Sequence, residues 1–144
     1  MKILITGGAG FIGSHLCDAL MERGHNLTVV DNLVLGRKEN ISHLLGKVGF
    51  EFIEEDLLHT EAMRDIFKDR KFDMVYHLAA NSDIQKGGKD PQVDYDLTFN
   101  TTFHVLRYLK EFGIKKFFFA STSAIYGETS DILNENYGPL CPVS

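Results

Sequence analysis

Apolar residues in this chain fall into short, largely continuous runs, separated by stretches where they recur every three or four positions. The runs are Ile3 to Ile5, Leu27 to Val30, Phe50 to Ile53, Met74 to Leu78 and Phe117 to Ala120. Runs that are continuous rather than alternating predict strands buried on both faces rather than strands with one wet side. Between the first two runs, Leu16, Ala19, Leu20 and Arg23 share one helical face, predicting a helix from near Gly10 to Gly24, a residue suited to a left-handed helix end. Further helices are predicted near Thr60 to Lys68 and from about Pro91 to Phe112, where Phe99, Phe103, Leu106, Leu109 and Lys110 set the period and Gly113 closes it. A shorter one covers Ile41 to Leu45. Strand and helix thus alternate. The expected architecture is α/β, a doubly wound parallel sheet with helices on each side, and right-handed crossovers give the strand order 3-2-1-4-5. No internal repeat or linker interrupts it. From Glu128 the chain turns polar, and Asn134, Asn136, Gly138, Pro139 and Pro142 read as a surface loop.

Composition narrows the function classes. The chain has 144 residues, 44% hydrophobic and 24% charged, which suits one globular domain with one core. Its net charge of -5 argues against a nucleic-acid partner, and its strongest basic cluster, Lys68 to Lys71, is interrupted by Asp69 and reads as a solvated helix end. Cys17 and Cys141 make no metal spacing and read as a buried thiol and a terminal one. The six histidines form no local ligand spacing, so no metal is expected; His77, ending a strand, is expected to be buried and hydrogen-bonded. The apolar run after Lys2 is too short for a signal peptide or a membrane span, which predicts a cytoplasmic protein with no membrane partner.

The chemistry begins where the first strand meets the first helix. Gly7, Gly10 and Gly13 have the spacing GxxGxxG, and Gly8, Gly10 and Gly13 also satisfy GxGxxG. At such a turn a side chain would hold a pyrophosphate away from the helix N–H groups, and one at Gly13 would separate helix from strand. Asp31 ends the second strand, where its carboxylate can accept from both hydroxyls of an adenosine ribose and repel a 2′-phosphate. NAD is favoured over NADP. Asp56 either accepts from the adenine amino group or caps the helix at Thr60. Leu78, Ala79 and Ala80 end the fourth strand, where small residues let backbone approach a cofactor, although strand packing also accounts for Leu78. Phe117, Phe118 and Phe119 are read as core packing rather than a stacking platform. Ser121, Thr122 and Ser123 leave the sheet at its carboxyl end, facing a ligand or satisfying a turn.

Taken in order, ITGGAGFIGSHL, Asp31-Asn32-Leu33 with Gly36-Arg37, Asp56-Leu57, His77-Leu78-Ala79-Ala80, Asn100 and STSAIYG resemble the extended short-chain dehydrogenase/reductase family, in its nucleotide-sugar epimerase and dehydratase branch. The resemblance spans essentially the whole chain. It implies a Rossmann-like NAD-binding domain over residues 1–144, with the cofactor held by Phe11, Ile12, Asp31, Asn32, Gly36, Asp56, Leu57, Leu78, Ala79, Ala80 and Ser121 beside the glycines, and with Asn100 supporting the site from the long helix. It implies Thr122 as the hydroxyl that hydrogen-bonds the reacting sugar, and Ser123 and Ser82 as substrate contacts.

In that family a Tyr takes the proton of the sugar 4-hydroxyl, and a Lys four residues later lowers its pKa. This chain has no YxxxK: Tyr76, Tyr95, Tyr108, Tyr126 and Tyr137 are followed four residues later by Ala80, Phe99, Phe112, Ser130 and Cys141. Pro142-Val143-Ser144 resembles the segment just before the family's Tyr. The expectation is therefore an N-terminal portion, its sheet incomplete and its substrate domain absent, that binds NAD without turning over. Ser123-Ala124 stands where dehydratases carry an acid, which favours a 4-epimerase over a dehydratase or reductase. A nucleotide-sugar substrate and a homodimer through the helix near Thr98 to Leu109 are the implied partners. A non-catalytic NAD-binding sensor or assembly module is the alternative from another class.

Overall fold

The computed structural model describes residues 1–138 and 140, the side chain of Ala124 excepted. Pro139, Cys141 and the segment Pro142-Val143-Ser144, each given a part by the sequence, lie outside the described residues. The strands are β1 (Lys2–Thr6), β2 (Asn26–Asp31), β3 (Phe50–Glu54), β4 (Met74–His77) and β5 (Lys116–Phe119). They form one sheet in the order β3-β2-β1-β4-β5 with every pairing parallel, as the alternation predicts. The helices are α1 (Phe11–Glu22), α2 (Thr60–Arg70), α3 (Ile84–Lys89), α4 (Pro91–Asp94) and α5 (Thr101–Glu111).

Side chains alternate across each strand, so the sheet divides its apolar residues between two cores. Ile3, Ile5, Leu27 and Val29 face α1 and the 3-10 helix Lys38–Leu44, packing with Cys17, Leu20, Ile41 and Leu44. Leu4, Val30 and Val75 face the other way, onto Met63, Ile66 and Phe67 of α2 and Val105, Tyr108 and Leu109 of α5. Cys17 is fully buried, and burial together with the neighbouring Asp18 charge pushes its thiol up to about 12, so it packs rather than reacts.

Burial on both faces holds for β1 and β2 only. The outer strands β3 and β5 are half-exposed, because an edge strand has a neighbour on one side and fewer helices above it. The core reading of the phenylalanines accordingly needs correcting: Phe117 packs against a core, whereas Phe118 and Phe119 remain 47% and 45% exposed. The predicted long helix is also not one α-helix. It runs as α4, a π-helical segment over Tyr95–Asn100, then α5. The stretch 82–89, which the sequence left unassigned, folds in part as α3, capped by the Asp83 carboxylate accepting from the Lys86 N–H.

Candidate cofactor-binding site

A cleft of about 490 Å³ opens at the carboxyl ends of the strands, above β1 and between its neighbours. This is where a doubly wound sheet splays its connections and offers a ligand room. Gly7, Gly10, Phe11, Ile12, Gly13, Asp31, Asn32, Gly36, Asp56, Leu57, Leu78, Ala79, Ala80 and Ser82 all line it. The sequence did not single out Val30, Val34, Leu35, Glu55, Leu97, Thr101 and Ala120, which complete the lining. Most of these are apolar residues whose spacing carries no signal of a ligand.

The glycines are required by close approach. A Cβ at Gly7 would sit 2.7 Å from the Ala79 backbone nitrogen, and the Gly7 φ of +71° is itself in the left-handed region. A Cβ at Gly13 would collide with the Gly7 carbonyl oxygen, so this position lets α1 settle onto the turn. Helix α1 starts at Gly10 with no side-chain cap and no acid in its first turn. Its first N–H groups are thereby left for an anionic acceptor, which the positive end of the helix dipole also favours.

Asp31 is 8% exposed and anchors the loop that follows it. Its Oδ2 accepts from the Ala9 N–H at 3.0 Å and its Oδ1 from the Leu33 N–H at 2.9 Å. Each oxygen retains a further acceptor direction, the capacity that two ribose hydroxyls would use. The second of these bonds holds Leu33 at φ +57°, a strained conformation for a leucine. Gly36 is packed against the same carboxylate, where a Cβ would lie 2.6 Å from Oδ1. The Arg37 N–H and the Asn40 side-chain amide both donate to the Ala9 carbonyl, lacing this loop onto the glycine turn.

Asp56 is not a cap for α2. Its Oδ1 accepts from the Leu58 N–H at 2.8 Å in a local turn, and its Oδ2 accepts from the Asn32 amide at 2.9 Å. His59 holds the cap position of α2, but its side chain bonds Glu55 rather than capping the helix. The Glu55 carboxylate beside it is held below its ordinary range by the Asp56 N–H first and His59 second.

At the other end of the cleft His77 is 1% exposed, as expected of a strand-ending histidine. Its Nδ1 lies 2.7 Å from the Thr6 hydroxyl and its Nε2 3.0 Å from the Thr102 hydroxyl, and burial pushes its pKa down to about 4. Asn100 lies in the π-helical segment, half-buried, and does not line the cleft. Ser121, Thr122 and Ser123 are exposed just past Ala120, which does line it. The structure thus brings the glycine turn, the Asp31 loop and the end of β4 together around one space, and leaves the three hydroxyl residues at its margin. Among the described residues no cluster of groups could hold a metal ion, and no helix is long and apolar enough to cross a membrane.

A family model described as the NAD dependent epimerase/dehydratase family matches residues 3–144. A UDP-glucose 4-epimerase of Klebsiella pneumoniae is 33% identical over 135 residues, covering 92% of this chain and 96% of that protein. UDP-glucuronic acid decarboxylase 1 of Danio rerio is 39% identical over 144 residues, covering 99% of this chain but 32% of that protein. Among solved structures, the UDP-glucose 4-epimerase of Thermus thermophilus in complex with NAD superimposes with a TM-score of 0.85 at 34% identity, over 99% of this chain and 45% of that one. The chain spans nearly all of the Klebsiella relative but under half of the Thermus protein and about a third of the Danio one.

Proposed function

The chain belongs to the NAD dependent epimerase/dehydratase family, and we propose that it is the cofactor-holding portion of a nucleotide-sugar 4-epimerase. The observation that carries the reading is the convergence of an uncapped helix start, a glycine turn with no space for side chains and the Asp31 carboxylate on a single cleft. These fit NAD part by part. The α1 start and the Gly7 to Gly13 turn would take the pyrophosphate, Asp31 the adenosine ribose, Asp56, Leu57 and Asn32 the adenine end, and Gly36 the loop against Asp31. Leu78, Ala79, Ala80 and Ser121 would border the opposite end, with Asn100 behind it.

In a whole enzyme of this kind NAD would supply the hydride acceptor for a transient oxidation at sugar C4, with the hydride returned to the opposite face. This chain's share would be to orient: Thr122 to hydrogen-bond the reacting hydroxyl, Ser123 and Ser82 to contact the nucleotide-sugar. No Tyr-Lys pair with the family's spacing stands within the 144 residues to remove the proton, so the chain by itself should bind without turnover. The decarboxylase relative supports a second reading, a dehydratase, decarboxylase or reductase sharing the same first step. A non-catalytic NAD-binding sensor or assembly module is the third. We place the protein in carbohydrate metabolism in the cytoplasm.

Calorimetric titration with NAD and NADP tests the reading. NAD should bind at least tenfold more tightly than NADP, because the Asp31 carboxylate repels a 2′-phosphate. UDP-glucose should not produce the absorbance of NADH at an enzymatic rate. Equal affinities would remove Asp31 from the ribose site, and steady turnover would remove the assignment of catalysis to residues outside this chain.

A homodimer is proposed through the helix that carries Tyr95, Phe99, Phe103 and Leu106. These side chains are 45% to 59% exposed on successive turns, and the Phe99 and Phe103 rings stack at 6.4 Å.

A further inference from the structure

Between the glycine turn and the π-helical segment runs a chain of hydrogen bonds whose direction is fixed by its last member. The Thr102 Oγ1 lies 2.6 Å from the Thr98 carbonyl oxygen, which can only accept, so the hydroxyl proton of Thr102 points there. Thr102 Oγ1 must then accept from His77 Nε2, 3.0 Å away, and that nitrogen carries the ring proton. Nδ1 is left with its lone pair and accepts from the Thr6 hydroxyl at 2.7 Å. The imidazole is stacked against the Phe117 and Phe119 rings, at 6.3 and 6.1 Å, so its plane is set by β5 as well.

Thr98 is held from a second direction. Its own Oγ1 accepts from the Asn81 N–H at 3.0 Å. The wall of the cleft lying between these two ties is Leu78-Ala79-Ala80, the segment whose backbone the Gly7 turn approaches most closely. Both ends of that wall are therefore fastened to one turn of the long helix, Asn81 to Thr98 directly and His77 to Thr98 through Thr102. The fastening lies where the π-helical segment passes into α5. There the Thr101 N–H reaches back to Asp96, while the hydroxyls of Thr101 and Thr102 satisfy the carbonyls of Leu97 and Thr98. The same turn places Leu97 and Thr101 on the cleft.

We propose that His77, protonated on Nε2, is a positioning residue that acts with Thr102 and Thr98 to clamp the Leu78–Ala80 wall at the end of the cleft away from Asp31. It touches no ligand. Its effect is to fix how far that wall stands from the glycine turn, and so how well the half of a dinucleotide remote from the adenine is held. Asp31 and Asp56 are not part of the relay, and a mononucleotide bound at their end should not sense it. The proposal rests on the reading of the cleft as an NAD site.

The test compares NAD with AMP by calorimetry in the native chain and in Thr102→Val, which keeps the side chain's shape and removes the acceptor. Circular dichroism verifies that each variant is folded. Thr102→Val should bind NAD about tenfold more weakly with AMP unchanged, about the loss of one hydrogen bond, and Thr102→Ser should restore NAD binding. Long-range nitrogen-proton spectra of the native chain should show a neutral ring with its proton on Nε2. A proton on Nδ1, unchanged NAD affinity in Thr102→Val, or an equal loss for NAD and AMP would each overturn the clamp. A native chain that binds AMP but gives none of the NAD effect refutes the clamp alone; one that binds neither ligand refutes the reading of the cleft and the clamp with it.

Discussion

The two sides of the sheet are built to different standards of closure. On one side β2 and its neighbour β1 bury every position after their first, and the loop after β2 is fastened to the glycine turn through Asp31, Arg37 and Asn40. On the other side β5 leaves Phe118 and Phe119 about half exposed, and residues 128–136 behind it are exposed throughout. The adenosine end of the proposed site thus sits on the buried central strands and a fastened loop, whereas the reacting end sits against an edge strand that the described residues leave uncovered. The adenosine half of a dinucleotide would draw on the first; its other half and catalysis would draw on the second.

The widest gap should appear when the same residue type is truncated in the closed core and at the open edge. Phe67 is fully buried and packs with Phe72, Tyr108 and Phe112, so Phe67→Ala should cost about 4 kcal/mol in urea unfolding. Phe118→Ala should cost under about 1 kcal/mol, since much of its surface is already in water. Similar losses at both positions would erase the contrast.

His77 stands between the two sides, and acid should act on it next most strongly. Burial lowers its pKa from 6.5 to about 4 in the folded state, so the unfolded chain takes up the proton first. Its contribution is complete above pH 6.5 and is lost as pH falls toward 4, about 3 kcal/mol in all. Glu51 and Glu55, held below their ordinary value of 4.5, add their loss only at more acid pH. The slope of unfolding free energy against pH between 6.5 and 5 should therefore disappear in His77→Gln. A slope that survives the substitution would place the acid sensitivity elsewhere.

The smallest effect on folding is expected at the exposed helix face. Phe99→Glu should change unfolding free energy by no more than about 0.5 kcal/mol, because Phe99 is 59% exposed. In sedimentation the native chain should associate with rising concentration and the variant should remain a monomer. A native chain that stays monomeric would remove the homodimer.

Local pattern was enough for the strands, their order and most of the cleft. Short apolar runs bounded by helical spacing mark strands, parallel neighbours require crossovers of one hand, and a glycine-rich turn between strand and helix leaves few alternatives. The lining from Gly7 to Gly13, Asp31 and Leu78 to Ala80 could be named for that reason. The sequence could not distinguish an edge strand from a central one, because Phe117-Phe118-Phe119 reads the same whether or not neighbours cover it. Nor could it find the π-helical turn. The hydroxyls of Thr98 and Thr102 look like those of ordinary helix residues until Asn81 and His77, far earlier in the chain, are folded against them. What depends on near neighbours in the chain, namely period, turn chemistry and hand, was set by sequence alone. Burial, proton placement and the fastening of one wall to a distant helix were decided by the tertiary structure, since each depends on groups that only folding brings into contact.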